Sequence, residues 1–171
     1  MTYRRLHFRP RALLAATLLT GAALAGTSAH ATAAASTCTP ICVLDARTGS
    51  HSGFDRLVLD FSSGTLPGTV TATASPDGSY STPSGSTEKI ETAGQSYLVL
   101  DVSTAHAHND SGTVTYTAPR VKSVNLPSLK GVQLLSDFEG HVQFGLSLGS
   151  ISRYRTFTLT NPNRVVVDIY R

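Results

Sequence analysis

Tryptophan is absent from this chain, methionine occurs once, and cysteine occurs only twice. The missing indole removes the strongest carbohydrate-stacking side chain. Two cysteines are too few for a closed cysteine–zinc site, and the chain is long enough to bury a core without a disulfide framework. Helical periodicity is nearly absent, with room for one short turn between Leu126 and Leu135. Gly-x-Ser-x-Gly, His-Glu-x-x-His and phosphate-loop signatures do not occur.

What is present begins with an export signature. Arg4, Arg5, Arg9 and Arg11 precede an apolar stretch from Ala12 to Ala25. That stretch is short for a membrane span and sits where a signal-peptide core belongs. Ala29-His30-Ala31 supplies a cleavage site after Ala31, and later cleavage in the run to Ala35 is the alternative. Residues 1–31 are therefore expected to be a signal peptide, with ordinary unfolded export ahead of a twin-arginine route. Cys38 lies too far beyond the apolar core for lipid attachment. The expectation is a secreted or cell-wall-associated protein with no membrane span after cleavage.

The leader also carries the basic charge. Of 14 Lys and Arg against 11 Asp and Glu, four basic residues and no acidic ones lie in it. The remainder is close to neutral and has no Lys/Arg cluster to track a phosphate backbone, which excludes nucleic acid as the expected partner.

Residues 32–40 are rich in Ala, Thr and Ser and read as a flexible segment, followed by one domain at 41–171. Cys38 and Cys42 are expected to pair in an oxidising compartment. Their spacing is not Cys-x-x-Cys, so the reading is structural and not redox-active. Strand candidates run 42–47, 54–61, 69–74, 88–92, 97–102, 113–118, 132–138, 142–148, 154–160 and 164–170. Thr104–Gly112 reads as loop, Glu139-Gly140 as a hairpin turn, and Asn161-Pro162-Asn163 as a tight connection. The expected fold is an all-β, antiparallel two-layer β-sandwich, with a compact barrel as the alternative.

Two segments are near copies, 108 positions apart: Arg56-Leu57-Val58-Leu59-Asp60-Phe61 and Arg164-Val165-Val166-Val167-Asp168-Ile169. Each places Arg and Asp on one strand face and three apolar side chains on the other. The closing run from Phe157 through Asn161-Pro162-Asn163-Arg164 to Ile169 resembles the end of AMIN domains and, more closely, AMIN-like domains of secreted actinobacterial proteins. His51-Ser52-Gly53-Phe54-Asp55-Arg56 and the strand it opens resemble that family's first strand. Tyr116-Thr117-Ala118-Pro119, Asp137-Phe138-Glu139-Gly140 and Phe144-Gly145 follow in the family's order. The resemblance implies a β-sandwich associated with the cell envelope, and peptidoglycan recognition.

Arg56 and Asp60 share a strand face but lie roughly 13 Å apart, as do Arg164 and Asp168, so their partners belong on neighbouring strands. Antiparallel pairing of the two copies would bring Arg56 to Asp168 and Arg164 to Asp60. The second reading makes Arg56 and Arg164 bidentate grips for a muramyl or peptide carboxylate. Tyr154 and Tyr97, with Tyr80 and Tyr170, are candidates for a sugar or stem-peptide surface. Arg153 and Arg155 project opposite to Tyr154.

Three patterns suggest other chemistry. His106, His108 and Asp110 alternate as a zinc triad would on a strand, but their context reads as loop without a buried face. Asp137, Glu139 and His141 alternate across a bend. Ser86-Thr87-Glu88-Lys89 has Ser-x-x-Lys spacing without its partner motifs. No catalytic residue, metal or cofactor is assigned on these grounds. The expected partner is a cell-wall polymer or a wall-associated protein. A protein-interaction or structural module and a small hydrolase are the alternatives, and the oligomeric state is open.

Overall fold

A computed structural model describes residues 37–151 and 153–171. The signal peptide expected at 1–31 lies outside the described residues, as do residues 32–36 of the flexible segment. Its described part is held in place by a Cys38–Cys42 disulfide. The Thr39 N–H and hydroxyl also donate to Asp110, at 2.8 and 3.0 Å.

Eleven strands follow: β1 (Val43–His51), β2 (Phe54–Phe61), β3 (Val70–Ser75), β4 (Ser79–Ser81), β5 (Thr87–Lys89), β6 (Ser96–Ser103), β7 (Val121–Ser123), β8 (Leu129–Phe138), β9 (His141–Leu148), β10 (Arg153–Leu159) and β11 (Arg164–Tyr170). One sheet has the order β1-β2-β11-β10, the other β3-β6-β9-β8-β7, and β4-β5 form a separate ribbon. All paired strands are antiparallel. Both sheets keep open edges and share no strand pair, so this is a sandwich and not a barrel.

The alternation that defines the strands also defines the core. Leu57, Leu59 and Phe61 of β2 and Val165, Val167 and Ile169 of β11 face inward. Leu98, Leu100 and Val102 of β6 meet them, with Val142, Phe144, Leu146 and Leu148 of β9. Each fully buried aliphatic or Phe side chain contributes roughly 1.5–3 kcal/mol relative to exposure, which offsets the cost of ordering so much extended chain.

Several elements differ from expectation: β4 and β7 are short strands where none is expected, and the strand expected at 88–92 ends at Lys89. Residues 113–118 form no strand, only an isolated bridge between His108 and Val114. Thr115 and Thr117 instead spend their hydroxyls on the Val43 and Leu44 carbonyls. There is no helix among the described residues. β8 begins at Leu129, because Leu129, Val132 and Leu134 are drawn into the sandwich core.

Buried Asp55 joins the two sheets. At the start of β2 it accepts from the N–H groups of Ser128 and Leu129, where β8 begins, and from Arg171 at 3.1 Å. Burial alone would push its carboxyl up. Hydrogen bonds from Ser128, Ser50, Leu129 and Arg171 outweigh that and hold it below its ordinary value.

β8 also carries a consequential irregularity. Leu134 pairs with Phe144, but Ser136 pairs with Gln143, so Leu135 is an extra residue. A bulge reverses which face the following residues occupy. It turns Asp137 to the side of its core partner Val142 and sends Ser136 outward beside Gln143.

Candidate functional site

The outer face of the β1-β2-β11-β10 sheet can be read from its register in four rows. They are His51–Phe54–Tyr170–Arg153, Gly49–Arg56–Asp168–Arg155, Arg47–Val58–Val166–Phe157 and Asp45–Asp60–Arg164–Leu159. His51 stacks on Phe54 with ring centroids 4.7 Å apart, and Phe54 lies 5.4 Å from Tyr170. The Arg56 guanidinium is 5.2 Å from the Phe54 ring and 5.7 Å from Phe157. Arg153 caps Tyr170 at 4.5 Å and Arg155 caps Phe157 at 5.1 Å. Such contacts contribute about 0.5–1 kcal/mol each when exposed and hold flexible arginines in defined positions.

Five of the ten basic residues in 37–171 therefore share one face: Arg47, Arg56, Arg153, Arg155 and Arg164. Three aspartates accompany them, which leaves a net positive face. Arg56 grips Asp168 with two bonds of 2.6 and 2.8 Å. Arg47 grips Asp60 in the same two-pronged manner. Both guanidinium groups are held above their ordinary value, chiefly by those hydrogen bonds. Arg153, Arg155 and Arg164 form no ion pair among the described residues, so their charge faces outward uncompensated.

A cleft of about 250 Å³ opens between Arg47, Gly49, His51, Arg56 and Val58. Its gap exists because Gly49 has no side chain: a Cβ built there meets nothing within 4 Å. The cleft has cations on two sides and an imidazole on a third. Both of those guanidinium groups are already gripped by carboxylates, so what the cleft offers is a concave apolar and imidazole surface for a flat or sugar-like body.

The candidates read from sequence separate on this geometry. Arg56 and Arg164 both lie on the open face. Asp168 stands opposite Arg56 and Asp60 opposite Arg164 in the ladder. Only the first pair closes: Asp60 turns to Arg47, while Arg164 donates to the Pro162 carbonyl at 3.3 Å. Tyr154 sits on the other side of β10, at the seam, and its hydroxyl donates to the Ala72 carbonyl of β3 at 3.1 Å. Tyr97 lies on the outer side of the second sheet, half-buried over Gly78, with its hydroxyl bonded to Gly94. Tyr80 is buried and donates to Glu88, and burial with that bond pushes its hydroxyl up to about 12. Of the four tyrosines, Tyr170 alone joins the arginine face.

Sequence reasoning noted Arg153 and Arg155 but gave them no role. The signal was there: Arg153, Arg155 and Phe157 alternate on one side of β10. What was missing was the register that sets them beside Tyr170 and Asp168.

The remaining patterns also resolve. Lys89 pairs with Asp77 at 3.3 Å and Ser86 sits in the β4–β5 turn, so Ser-x-x-Lys has no Ser–Lys contact. His106 and His108 do converge, but with Asp137 and not Asp110, which is occupied by Thr39. The segment also has a buried face, contrary to expectation, because Ala105, Ala107 and Asn109 are all buried. His141 parts from Asp137 and bonds Asp101 at 2.9 Å.

The described residues form a helix-free β-sandwich with one open face of arginines and aromatic rings. The AMIN-like domain family matches residues 42–171, and the chain belongs to that family. Domains of this family are non-catalytic binding modules. No curated protein matches the chain at a significant level.

Proposed function

We propose that this protein is a secreted, envelope-associated module that binds peptidoglycan through the outer face of the β1-β2-β11-β10 sheet. The observation that carries this reading is the set of uncompensated Arg153, Arg155 and Arg164, the first two over the Tyr170 and Phe157 rings, on the same sheet face as the Gly49 cleft. Stem-peptide and muramyl carboxylates match the guanidinium forks, and the sugar rings match the apolar faces of Phe54, Tyr170 and Phe157. The export-type N-terminus and the AMIN-like family both support that location.

Retention on purified sacculi tests it. The double variant Arg153→Ala/Arg155→Ala should lose most retention while keeping its melting temperature. Retention equal to the unaltered protein would reject this face as the polymer site. A protein partner adding a strand to an open sheet edge is the second reading, supported by β10 having no neighbour beyond it. Arg153 and Arg155 weigh against it, since charges along an edge strand discourage strand addition.

A further inference from the structure

We propose that His106, His108 and Asp137 form a binding site for a divalent transition-metal cation, with zinc as the best-fitting class. One ligand atom from each lies within 4.8 Å of the others. His108 Nδ1 is 2.6 Å from one oxygen of Asp137, and His106 Nδ1 is 3.9 Å from the other. The first is a hydrogen bond and the second is too long to be one. Neither His106 Nδ1 nor that Asp137 Oδ1 has a hydrogen-bond partner, although both atoms are buried. Two unsatisfied polar atoms facing one another are costly unless something bridges them.

A cation satisfies both at once. Metal–ligand bonds of about 2.0–2.1 Å at tetrahedral angles set neighbouring ligand atoms about 3.3 Å apart. That value falls between the two separations, so modest rotations of the rings and the carboxylate would bring all three groups into range. Two imidazoles and one carboxylate are the donor set that zinc and its first-row neighbours take in preference to calcium or magnesium. Three protein ligands leave a fourth position for water or an external donor, and His108 is the most exposed of the three.

The backbone around the site is braced on every side. The Val43 N–H donates to the His106 carbonyl and the His106 N–H to Ile41, at 2.8 and 3.0 Å. Ala105 is tied to Gly140 in the β8–β9 turn. Cys42 Sγ of the disulfide lies 3.1 Å from the His108 carbonyl oxygen. The Leu135 bulge supplies the last part, because without it Asp137 would face the opposite side of β8. With the backbone held, only side-chain rotations remain to be lost when the ion binds.

The test uses the full chain in a His7→Ala/His30→Ala background, stripped with EDTA and titrated with ZnCl2 near neutral pH. Calorimetry should give one equivalent per chain. Histidine ring resonances of His106 and His108 should move together while those of His51 and His141 stay put. Co2+ in place of zinc should give the intense visible bands of a tetrahedral ion. His106→Ala removes a ring nitrogen with no hydrogen-bond partner, and Asp137→Asn keeps an acceptor for His108. Each should weaken binding at least about ten-fold, whereas Asp110→Asn should leave it unchanged. No zinc-dependent shift of His106, or equal affinity in His106→Ala, would overturn the site. The ring resonances of the unsubstituted triad decide the matter even where a variant fails to fold.

Discussion

The outer faces of the two sheets are built on the same inward alternation yet meet different fates. On the β3-β6-β9-β8-β7 sheet part of the outer side is covered. The β4–β5 ribbon and the chain leading from it bring Tyr80 and Ile90 onto Leu135, with Tyr97 and Val99 beside them. Glycines make the room. A Cβ at Gly145 would lie 2.7 Å from Ile90, and one at Gly131 would lie 2.3 Å from the Thr92 hydroxyl. The β1-β2-β11-β10 sheet carries arginines and aromatic rings at the equivalent depth, and its single outward glycine, Gly49, faces open space. Small residues against a lid make a packing surface, whereas large cationic ones without a lid leave a binding surface.

The largest effect should come from cutting the link on which both faces depend. Asp55→Ala leaves the Ser128 and Leu129 N–H groups buried without an acceptor and removes one of the partners of Arg171. The expected loss is about 3–5 kcal/mol, read as a lower urea midpoint at unchanged slope. The same group sets a pH dependence. Its folded value is depressed, so its contribution is complete above the unfolded value of about 4. That contribution disappears as pH falls through the folded value below. Asp55→Asn should flatten the acid limb of the stability curve, and an unchanged limb would assign it to other carboxylates.

Next in size is the covered face. Gly131→Val drives a branched side chain into Thr92, and overpacking of this kind costs about 1–3 kcal/mol. A melting temperature unaltered by Gly131→Val would mean that the segment carrying Thr92 is not firmly seated.

The near-copied strands give a finer contrast within the open face. Arg56→Ala strands Asp168, whose side chain is only 6% exposed, and should cost about 1–3 kcal/mol because Arg56 itself stays partly solvated. Arg164→Ala removes one long bond to a carbonyl and should shift stability by less than about 0.5 kcal/mol. Equal losses in the two variants would show that the geometric difference between the pairs has no energetic weight.

These contrasts separate what the sequence makes legible from what only the fold brings together. The strands β2 and β11 could be read to the residue, because Leu57, Leu59 and Phe61 and their counterparts alternate with period two. The antiparallel match of Arg56 with Asp168 followed from the duplicated spacing. The choice of Arg47 as partner for Asp60 did not, since it depends on which strand lies at the other side of β2. Residues 113–118 looked like a strand by alternation, but threonine hydroxyls there bond the β1 backbone instead. The convergence of Asp137 with two histidines 29 and 31 residues earlier was invisible, because it requires a one-residue bulge that no local pattern announces. Alternation reports which way a strand faces, and it does not report what is placed over that face.

The smallest effect on stability carries the sharpest test of that last distinction. Gly49→Val makes on the open face the same substitution as Gly131→Val on the covered one. The Gly49 backbone has no left-handed φ and its would-be Cβ is unobstructed. A β-branched residue suits a strand there, so the melting temperature should hold, within about 0.5 kcal/mol of stability. Yet the side chain would project into the gap between Arg47, His51 and Arg56 and fill much of the cleft. Retention on sacculi should therefore fall while the fold is untouched. If retention survives, the cleft is not where the polymer sits, and the exposed arginines of β10 must carry the contact alone.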